Sequence, residues 1–341
     1  MRKIFTLPVI WLTTCVFVGT ALAEATQPAA VRAAFLKLID RPRVDLSPRV
    51  KQQTVGGLTQ IQFSFASEAS QRVPGILMKS PGEARRPVVI VMHGTGGKKE
   101  AEMRLLKRFA EKGFVAVAID ARYHGERGNQ SDYNAAIART FEKGGEHPLY
   151  WDTVWDVQRL IDYLQTRDDV DPKRIGLMGI SKGGIETYFA SAVDERIAVS
   201  VPCIGVQSFQ WALEHDAWHG RVGTIRKGFE AAAKSAGIEK PDADFVRQFY
   251  DRIVPGINST FDGPVMMTLI CPRPLLIING DSDDKTPLEG VKLCGDAARN
   301  AYRGAGVDEK FRQIVEPKTG HAVTAESEEE AVAWFVKWLV P

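Results

Sequence analysis

One serine lies in a local pattern that favours nucleophilic chemistry. The segment Gly179–Gly183 has the pattern Gly-x-Ser-x-Gly around Ser181, after an apolar run at 174–178 and before a helix-compatible stretch at 184–190. Strand, turn and helix in this order expose a serine hydroxyl on a sharp turn that tolerates only small neighbours. The next amide, that of Lys182, would begin the helix and could donate to an oxyanion. The pattern predicts Ser181 as a nucleophile, and a plain glycine-serine turn is the alternative.

A serine nucleophile needs a base and an acid that orients the base. His321 follows the predicted strand 311–316 and is the only histidine after His219, so it is the predicted base. The predicted acid lies in residues 280–287, which we call the acid loop and which follow another apolar run. Asp283 is favoured by its offset from the glycine and proline that bound this loop. Asp281 and Asp284 remain alternatives, since aspartate is common in turns.

The second oxyanion donor is expected in residues 93–97, His-Gly-Thr-Gly-Gly, which we call the oxyanion turn. This turn follows the all-apolar run 87–92, and a helix is predicted after it. An amide from a loop in this place completes an oxyanion hole together with the amide after the nucleophile. The Thr95 amide is the first choice and the Gly96 amide the next. His93 is predicted to brace the turn.

Two histidines raise the question of a metal site. His215 and His219 are four residues apart, which on a helix would place them on one face. The residue after the first is Asp216 rather than a glutamate, and no third ligand is apparent nearby. Two surface histidines are therefore expected, with no metal bound between them.

The first residues have the features of a secretory signal peptide. Arg2 and Lys3 precede a mostly apolar stretch at 4–22, and Ala21-Leu22-Ala23 is a small-x-small cleavage site. Cleavage after Ala23 predicts a secreted or periplasmic protein. An uncleaved anchor and a lipoprotein modified at Cys15 are the alternatives.

The remaining composition is that of a globular protein. The chain has 341 residues, 44% of them hydrophobic, and loss of residues 1–23 would leave 42 basic and 42 acidic residues. A formally neutral protein has no long-range attraction for nucleic acid or anionic membranes. With Ser181 as the predicted nucleophile, a small-molecule ester is the expected partner. The oligomeric state is left open. Cys203, Cys271 and Cys294 allow at most one internal disulfide, and free thiols are favoured.

Alternating elements predict a single α/β domain over 51–341, after a leader at 24–50 whose amphipathic stretch is expected on the outside of the domain. Buried strands are predicted at 87–92, 114–119, 174–178, 198–204, 274–279 and 311–316, with an antiparallel pair at 57–66 and 73–79. Helices are predicted at 98–112, 152–167, 288–303 and 327–339. Such alternation is typical of a mostly parallel sheet covered on both faces.

Residues 207–267 break this alternation, and we call them the cap segment. Two or three helices and no clear strand are predicted there, with many aromatic residues. Trp211 and Trp218 are the candidates for lining a substrate pocket. The alternative is that these aromatics form the segment's own core.

These motifs resemble the α/β-hydrolase superfamily, in its branch near dienelactone hydrolases, acetyl xylan esterases and the prolyl oligopeptidase catalytic domain. The resemblance spans residues 88–325 and rests on 93–97, 120–127, 179–184, 280–287 and 320–321. It implies an eight-stranded sheet, a triad of Ser181, Asp283 and His321, and no cofactor. Lys182 departs from many relatives, which have an uncharged residue there, and could alter the preference for substrate charge.

The leading functional hypothesis is an exported serine esterase that works through an acyl-enzyme. An aminopeptidase-like or acyl-peptide hydrolase is the second hypothesis, although the chain lacks the large propeller that gates oligopeptides in such enzymes. A catalytically silent binding protein on the same fold is the third, and the complete set of triad residues disfavours it.

Overall fold

The computed structural model describes residues 28–340, so the predicted signal peptide lies outside the described residues. Within this range, one sheet contains nine strands in the order β1-β2-β3-β5-β4-β6-β7-β8-β9. The strands are β1 (Arg49–Val55), β2 (Leu58–Glu68), β3 (Gln71–Lys79), β4 (Arg86–Met92), β5 (Val115–Ile119), β6 (Val170–Ile180), β7 (Ile197–Cys203), β8 (Leu275–Gly280) and β9 (Phe311–Glu316). The first three strands and the β3–β5 pair are antiparallel, and all the other pairs are parallel.

Twelve α-helices cover this sheet in the described range. They are α1 (Pro28–Ile39), α2 (Met103–Glu111), α3 (Gln130–Lys143), α4 (Trp151–Gln165), α5 (Lys182–Val193), α6 (Phe209–Glu214), α7 (His219–Gly223), α8 (Arg226–Ser235), α9 (Ala243–Ile253), α10 (Gly263–Thr268), α11 (Leu288–Gly304) and α12 (Ala325–Leu339). Strand β4 shows why the central strands are apolar throughout. Val88, Ile90 and Met92 belong to the core on one face of the sheet, while Val89 and Val91 belong to the core on the other. Both faces of the strand are thus buried, as the all-apolar run predicts.

The expected count of eight strands is wrong by one, because β1 was not predicted. All seven residues of β1 are exposed, and they pair with β2 from Arg49 opposite Ser64 to Val55 opposite Leu58. A strand exposed on both faces has no need for alternating apolar residues, so it leaves no periodic pattern in the sequence. The strand lies at the edge of the sheet remote from β6 to β9, and it does not alter their arrangement.

Helix α1 packs on the domain through one face, while Ala33, Ala34 and Lys37 on its other face are exposed. Val31, Phe35 and Ile39 are buried. The Phe35 ring lies edge-on to Trp151 at 4.8 Å and stacks on Phe189 at 5.5 Å. The predicted leader therefore shares the hydrophobic core of the sheet domain, and its apolar stripe faces other helices instead of solvent.

Five short helices, α6 to α10, lie between β7 and β8, where the cap segment was expected to contain two or three. Many of its aromatic rings pack on one another. The centre of the Phe229 ring lies 5.4 Å from that of Phe245 and 5.0 Å from that of Phe249. The segment also packs on the acid loop. A Cβ on Gly220 would lie 2.1 Å from the carbonyl oxygen of Asp284, so only glycine fits this close approach. In residues 28–340, no helix is both long and apolar enough to span a bilayer.

Candidate active site

Ser181 lies on the turn that joins β6 to α5, and its backbone is in the left-handed region with φ of 58°. Its amide donates to the Cys203 carbonyl oxygen at 2.9 Å, which fixes the turn against β7. A Cβ on Gly179 would lie 2.3 Å from the Gly183 carbonyl oxygen, and one on Gly183 would lie 2.3 Å from the Met92 carbonyl oxygen. Both glycines of the motif are thus required by close backbone approach. A non-glycine residue at positive φ is strained, which is typical of functional sites.

The structure brings Ser181, His321 and Asp283 into one chain of hydrogen bonds. The Ser181 hydroxyl lies 2.7 Å from His321 Nε2, and His321 Nδ1 lies 2.7 Å from Asp283 Oδ2. Asp281 instead accepts from the Thr319 amide at 3.2 Å, and Asp284 is exposed and paired with Lys285. Of the three aspartates in the acid loop, Asp283 is therefore the one that contacts the histidine.

Asp283 is buried and has three hydrogen-bond donors. Besides His321, the Thr286 hydroxyl donates to Oδ2 at 2.7 Å and the Lys285 amide donates to Oδ1 at 2.8 Å. Burial alone would raise the pKa of Asp283, but the hydrogen bonds from His321, Thr286 and Lys285 outweigh it and lower the pKa below its usual range. The carboxylate is therefore ionised at neutral pH, as orientation of an Nδ1–H tautomer of His321 requires.

The oxyanion turn approaches the serine closely. A Cβ on Gly94 would lie 3.5 Å from the Ser181 Cβ, and the Gly97 amide donates to the Gly94 carbonyl oxygen at 3.0 Å. His93 Nε2 accepts from the Ala121 amide at 3.1 Å, so the proton is on Nδ1, which lies 2.8 Å from the Gly94 carbonyl oxygen. Burial first, and the Lys182 charge second, lower the pKa of His93 to about 4. The neutral imidazole therefore braces the turn that carries Thr95.

The Lys182 side chain is inside the protein. It is 1% exposed, forms an ion pair with the fully buried Glu186 one helical turn away, and lies 6.0 Å from the Tyr133 ring centre. Burial raises the pKa of Glu186 to about 7, although Lys182 acts in the opposite direction. Because the ammonium is buried against Glu186, the expectation that Lys182 sets a substrate charge preference has no support from its position. Its amide, at the first position of α5, has no acceptor within the helix.

The two candidate tryptophans occupy different surroundings. Trp211 is half-buried, stacks on His215 at 4.3 Å, and lies near Gly290 at the start of α11. Trp218 is 7% exposed and contacts Phe229 within the cap segment. The role of either in a pocket stays a prediction.

His215 and His219 do not share a helix. His215 ends α6 and His219 begins α7, and Asp216 between them has φ of 53°, which interrupts helical geometry. The expected i, i+4 alignment on one helical face is therefore wrong. Both side chains are exposed, and no cluster of three or more potential metal ligands occurs in residues 28–340.

Two further residues at the site were not singled out from the sequence. Thr286 donates to Asp283 and accepts from Asn279 at 3.0 Å, so it fixes the carboxylate in place. Gln130 lies beside the oxyanion turn, since a Cβ on Gly96 would lie 3.4 Å from Gln130 Oε1. The position of Thr286 three residues after Asp283 was a usable signal, whereas nothing local marks Gln130.

The parallel sheet, the strained serine turn and the Ser-His-Asp arrangement define a serine hydrolase of the α/β-hydrolase fold. A family model described as "Glucuronyl esterase, fungi" matches residues 62–306. The chain therefore belongs to the glucuronyl esterase family, and it is a carboxylic ester hydrolase.

The chain is also similar to a curated relative and to solved structures. The YtaP protein of Bacillus subtilis is 27% identical over 79% of this chain and 84% of its own length. Acetyl xylan esterase 1 from a Thermoanaerobacterium species superimposes with a TM-score of 0.67 at 16% identity, over 92% of this chain and 95% of that one. A glucuronoyl esterase from Solibacter usitatus superimposes with a TM-score of 0.61 at 15% identity, over 99% of both chains. At these identities the two structures show the shared fold.

Proposed function

We propose that the protein hydrolyses esters of uronic acids carried on carbohydrates, through an acyl-enzyme on Ser181. The observation that carries the proposal is the continuous hydrogen-bonded chain from Ser181 to His321 to Asp283, with both links at 2.7 Å. This is the arrangement required for a histidine to remove the serine proton. The uronic acid is inferred from the family, whose name specifies a glucuronyl ester.

In the proposed mechanism, His321 Nε2 accepts the hydroxyl proton as Ser181 Oγ attacks the ester carbonyl carbon. The amides of Lys182 and Thr95 stabilise the oxyanion, and Asp283 stabilises the imidazolium. His321 then donates its proton to the departing alcohol, which leaves the uronic acid bound to Ser181 as an acyl ester. His321 removes a proton from a water molecule, whose oxygen attacks the acyl carbon. The bond from this carbon to Ser181 Oγ then breaks, His321 returns the proton to Oγ, and the free uronic acid is released.

Export is a second part of the proposal. The charged start, the apolar stretch and the cleavage site at Ala23 support translocation out of the cytoplasm. Glycans that carry uronic acids are too large to enter cells readily, so an extracellular or periplasmic location would suit the proposed substrate. Fractionation of cells that express the whole chain, followed by N-terminal sequencing, tests both the location and the cleavage.

The cap segment is proposed to shape the substrate pocket. Arg221 on α7 is buried, and its Nε donates to the Lys285 carbonyl oxygen at 3.1 Å, so the segment is joined to the acid loop. The Ser208 amide donates to the Gly290 carbonyl oxygen at 3.2 Å on the following helix. These contacts connect the cap segment to the loop of Asp283, which supports a role in forming one wall of the site.

The decisive experiment measures hydrolysis by the purified mature chain. Methyl glucuronate, an acetylated xylan oligomer and an aminoacyl amide are compared, with Ser181→Ala as the test variant and Ser282→Ala as the control. Ser282 is exposed and lies in the acid loop beside Asp283, so its loss tests for non-specific damage to the site.

We expect kcat on methyl glucuronate to fall by several orders of magnitude in Ser181→Ala and to stay within a few-fold of wild type in Ser282→Ala. A fluorophosphonate probe should label wild type and fail to label Ser181→Ala. Cleavage of the acetylated xylan alone would contradict the uronic acid part of the proposal. Labelling that persists without Ser181 would contradict the nucleophile.

A further inference from the structure

A groove of about 520 Å³ runs between α3 and α8. Its polar lining comes from Gln130, Ser131 and Thr224, and its cationic lining comes from Arg226 and Lys227. Three alanines, at 135, 138 and 231, provide the apolar part of its surface. A volume of this size is within the range of small-molecule sites. The function proposed above uses none of these residues.

The groove has a fixed wall. The Asn134 side chain is buried, donates to the Gln130 carbonyl oxygen at 2.7 Å, and accepts from the Gly228 amide at 3.2 Å. One buried amide therefore joins the first turn of α3 to the first turn of α8. The two helices that form the groove are held at a set distance from each other by this contact.

One residue that lines the groove also approaches the oxyanion turn. This residue is Gln130, whose Oε1 would lie 3.4 Å from a Cβ on Gly96. Gly94 of the same turn lies against Ser181, as described above. A substrate with its ester carbonyl at Ser181 could therefore extend past the oxyanion turn into the groove.

The charges of the groove are unbalanced. Arg226 and Lys227 are exposed, and neither forms an ion pair with another residue of the described range 28–340. None of the residues that line the groove is acidic. Both cations also lie in the first turn of α8, where the helix dipole already favours negative charge and disfavours positive charge. An anion bound in the groove would relieve this imbalance.

We propose that the groove binds a free carboxylate of the substrate, and that the enzyme prefers uronic acid esters that have unesterified uronic acid neighbours in the same glycan. This inference rests on the proposed function and specifies the class of glycan on which it acts. The alanine surface suits the apolar face of a sugar ring, and the two cations suit the carboxylate that the ring carries. A neutral glycan would leave both cations without a partner.

The test compares two substrates of the same ester chemistry. One is methyl glucuronate, which has no free carboxylate, and the other is a partly methylated oligoglucuronate, which has several. Release of methanol gives kcat/KM for each. The variants are the double change Arg226→Gln with Lys227→Gln, and Lys234→Gln as the control, because Lys234 is an exposed cation on the same helix two turns away.

We expect wild type and Lys234→Gln to favour the acidic oligomer, and the ratio of the two kcat/KM values to fall roughly tenfold in the double variant, since two charge-assisted contacts are lost. Raising the salt concentration should reduce the ratio in wild type, because exposed charges are screened. A ratio that is the same in the double variant and in wild type would overturn the inference, as would an equal fall in Lys234→Gln.

A binding measurement separates this inference from the proposed activity. Calorimetric titration with unesterified oligoglucuronate requires no ester hydrolysis. Wild type should bind it, and the double variant should bind it roughly tenfold more weakly at low salt. Binding without hydrolysis of any uronic acid ester would refute the activity and retain the groove. Hydrolysis of methyl glucuronate with no binding of the oligomer would refute the groove alone.

Discussion

Replacing Asp283 by asparagine hardly changes the size of the side chain but should greatly reduce activity, because both oxygens of this carboxylate accept hydrogen bonds. Oδ2 accepts from His321 Nδ1 and Thr286 Oγ1, while Oδ1 accepts from the Lys285 amide. Asparagine has one acceptor oxygen and one NH₂ group. If its oxygen faces Lys285, its NH₂ group faces His321, and Nδ1 of the histidine must give up its proton to become an acceptor.

That tautomer is the wrong one for catalysis. The proton then lies on His321 Nε2, which would donate to Ser181 Oγ instead of accepting its proton. The equivalent error in Ser-His-Asp enzymes lowers kcat about 10⁴-fold, which corresponds to about 5.5 kcal/mol of activation free energy. The opposite orientation keeps the tautomer but points the NH₂ group at the partly buried Lys285 amide, which then loses its acceptor at a cost of up to about 1–3 kcal/mol. Either orientation is unfavourable.

The assay is kcat on an activated uronate ester at pH 7.5, together with the rate of fluorophosphonate labelling and the melting temperature. Asp283→Asn should lower kcat by about 10³–10⁴-fold, with a folded protein in the melting curve. Asp284→Asn is the matched control, since its side chain is 72% exposed and contacts Lys285 alone among the described ion pairs. If both variants lose activity equally, or if Asp284→Asn is the worse of the two, the orientation of His321 by Asp283 is refuted.

Four further outcomes are expected. Burial first, and Lys182 second, lower the pKa of His93 to about 4, whereas a histidine in the unfolded chain has a pKa of about 6.5. Between these pH values the unfolded chain binds a proton that the native protein does not, so acidification favours unfolding. From pH 7 to pH 4 the free energy of unfolding, measured by urea denaturation, should therefore fall by about 3 kcal/mol more in wild type than in His93→Gln. Trp211→Ala should change the ratio of kcat/KM between small and bulky esters, whereas Trp218→Ala should lower the melting temperature and reduce all activities in parallel. Extended chelator treatment should leave hydrolysis unchanged, because the proposed triad supplies both nucleophile and base. Phe35→Ala should cost about 3–5 kcal/mol of stability in urea titration and should leave the KM of the remaining folded enzyme unaltered.

The parts of the fold that could be predicted from the sequence are those buried on both faces. Strand β4 needs an apolar side chain at nearly every position, and such a run is visible without knowledge of its neighbours. Strand β1 was missed for the opposite reason, since all of it is exposed and its position is set by pairing with β2, which leaves no apolar periodicity. Helix α3 was missed although its sequence carries a signal. Tyr133, Ile137 and Phe141 are buried at helical spacing, and Asn129 caps the first turn.

The residues of the candidate site also differ in how far the sequence alone marks them. Ser181 is marked in the sequence by the glycines at 179 and 183. Gly183 is needed because the turn approaches Met92 at the end of β4, and Gly179 is needed because it approaches Gly183. The relation of Asp283 to His321 depends on contacts between loops 38 residues apart, and the offset in the acid loop could only favour one aspartate over two others. The Gly-x-Ser-x-Gly motif does not show that the Lys182 side chain is buried, although Glu186 at i+4 was a usable signal for a local ion pair. Likewise, the positive φ at Asp216 separates His215 from His219, and spacing alone does not reveal it.

The burial of α1 has a consequence for the order in which the chain can fold. Arg32 on this helix donates to the Leu269 carbonyl oxygen at 3.1 Å, across 237 residues of sequence. A ribosome adds about 5–20 residues per second, so roughly 10–50 s pass between the synthesis of the two partners. During that interval α1 can pack on Trp151 and Phe189, which are made earlier, but its hydrogen bond to Leu269 cannot form, and closing so long a loop is slow even afterwards. The first helix of the described range therefore completes its native contacts late, when most of the chain has been synthesised.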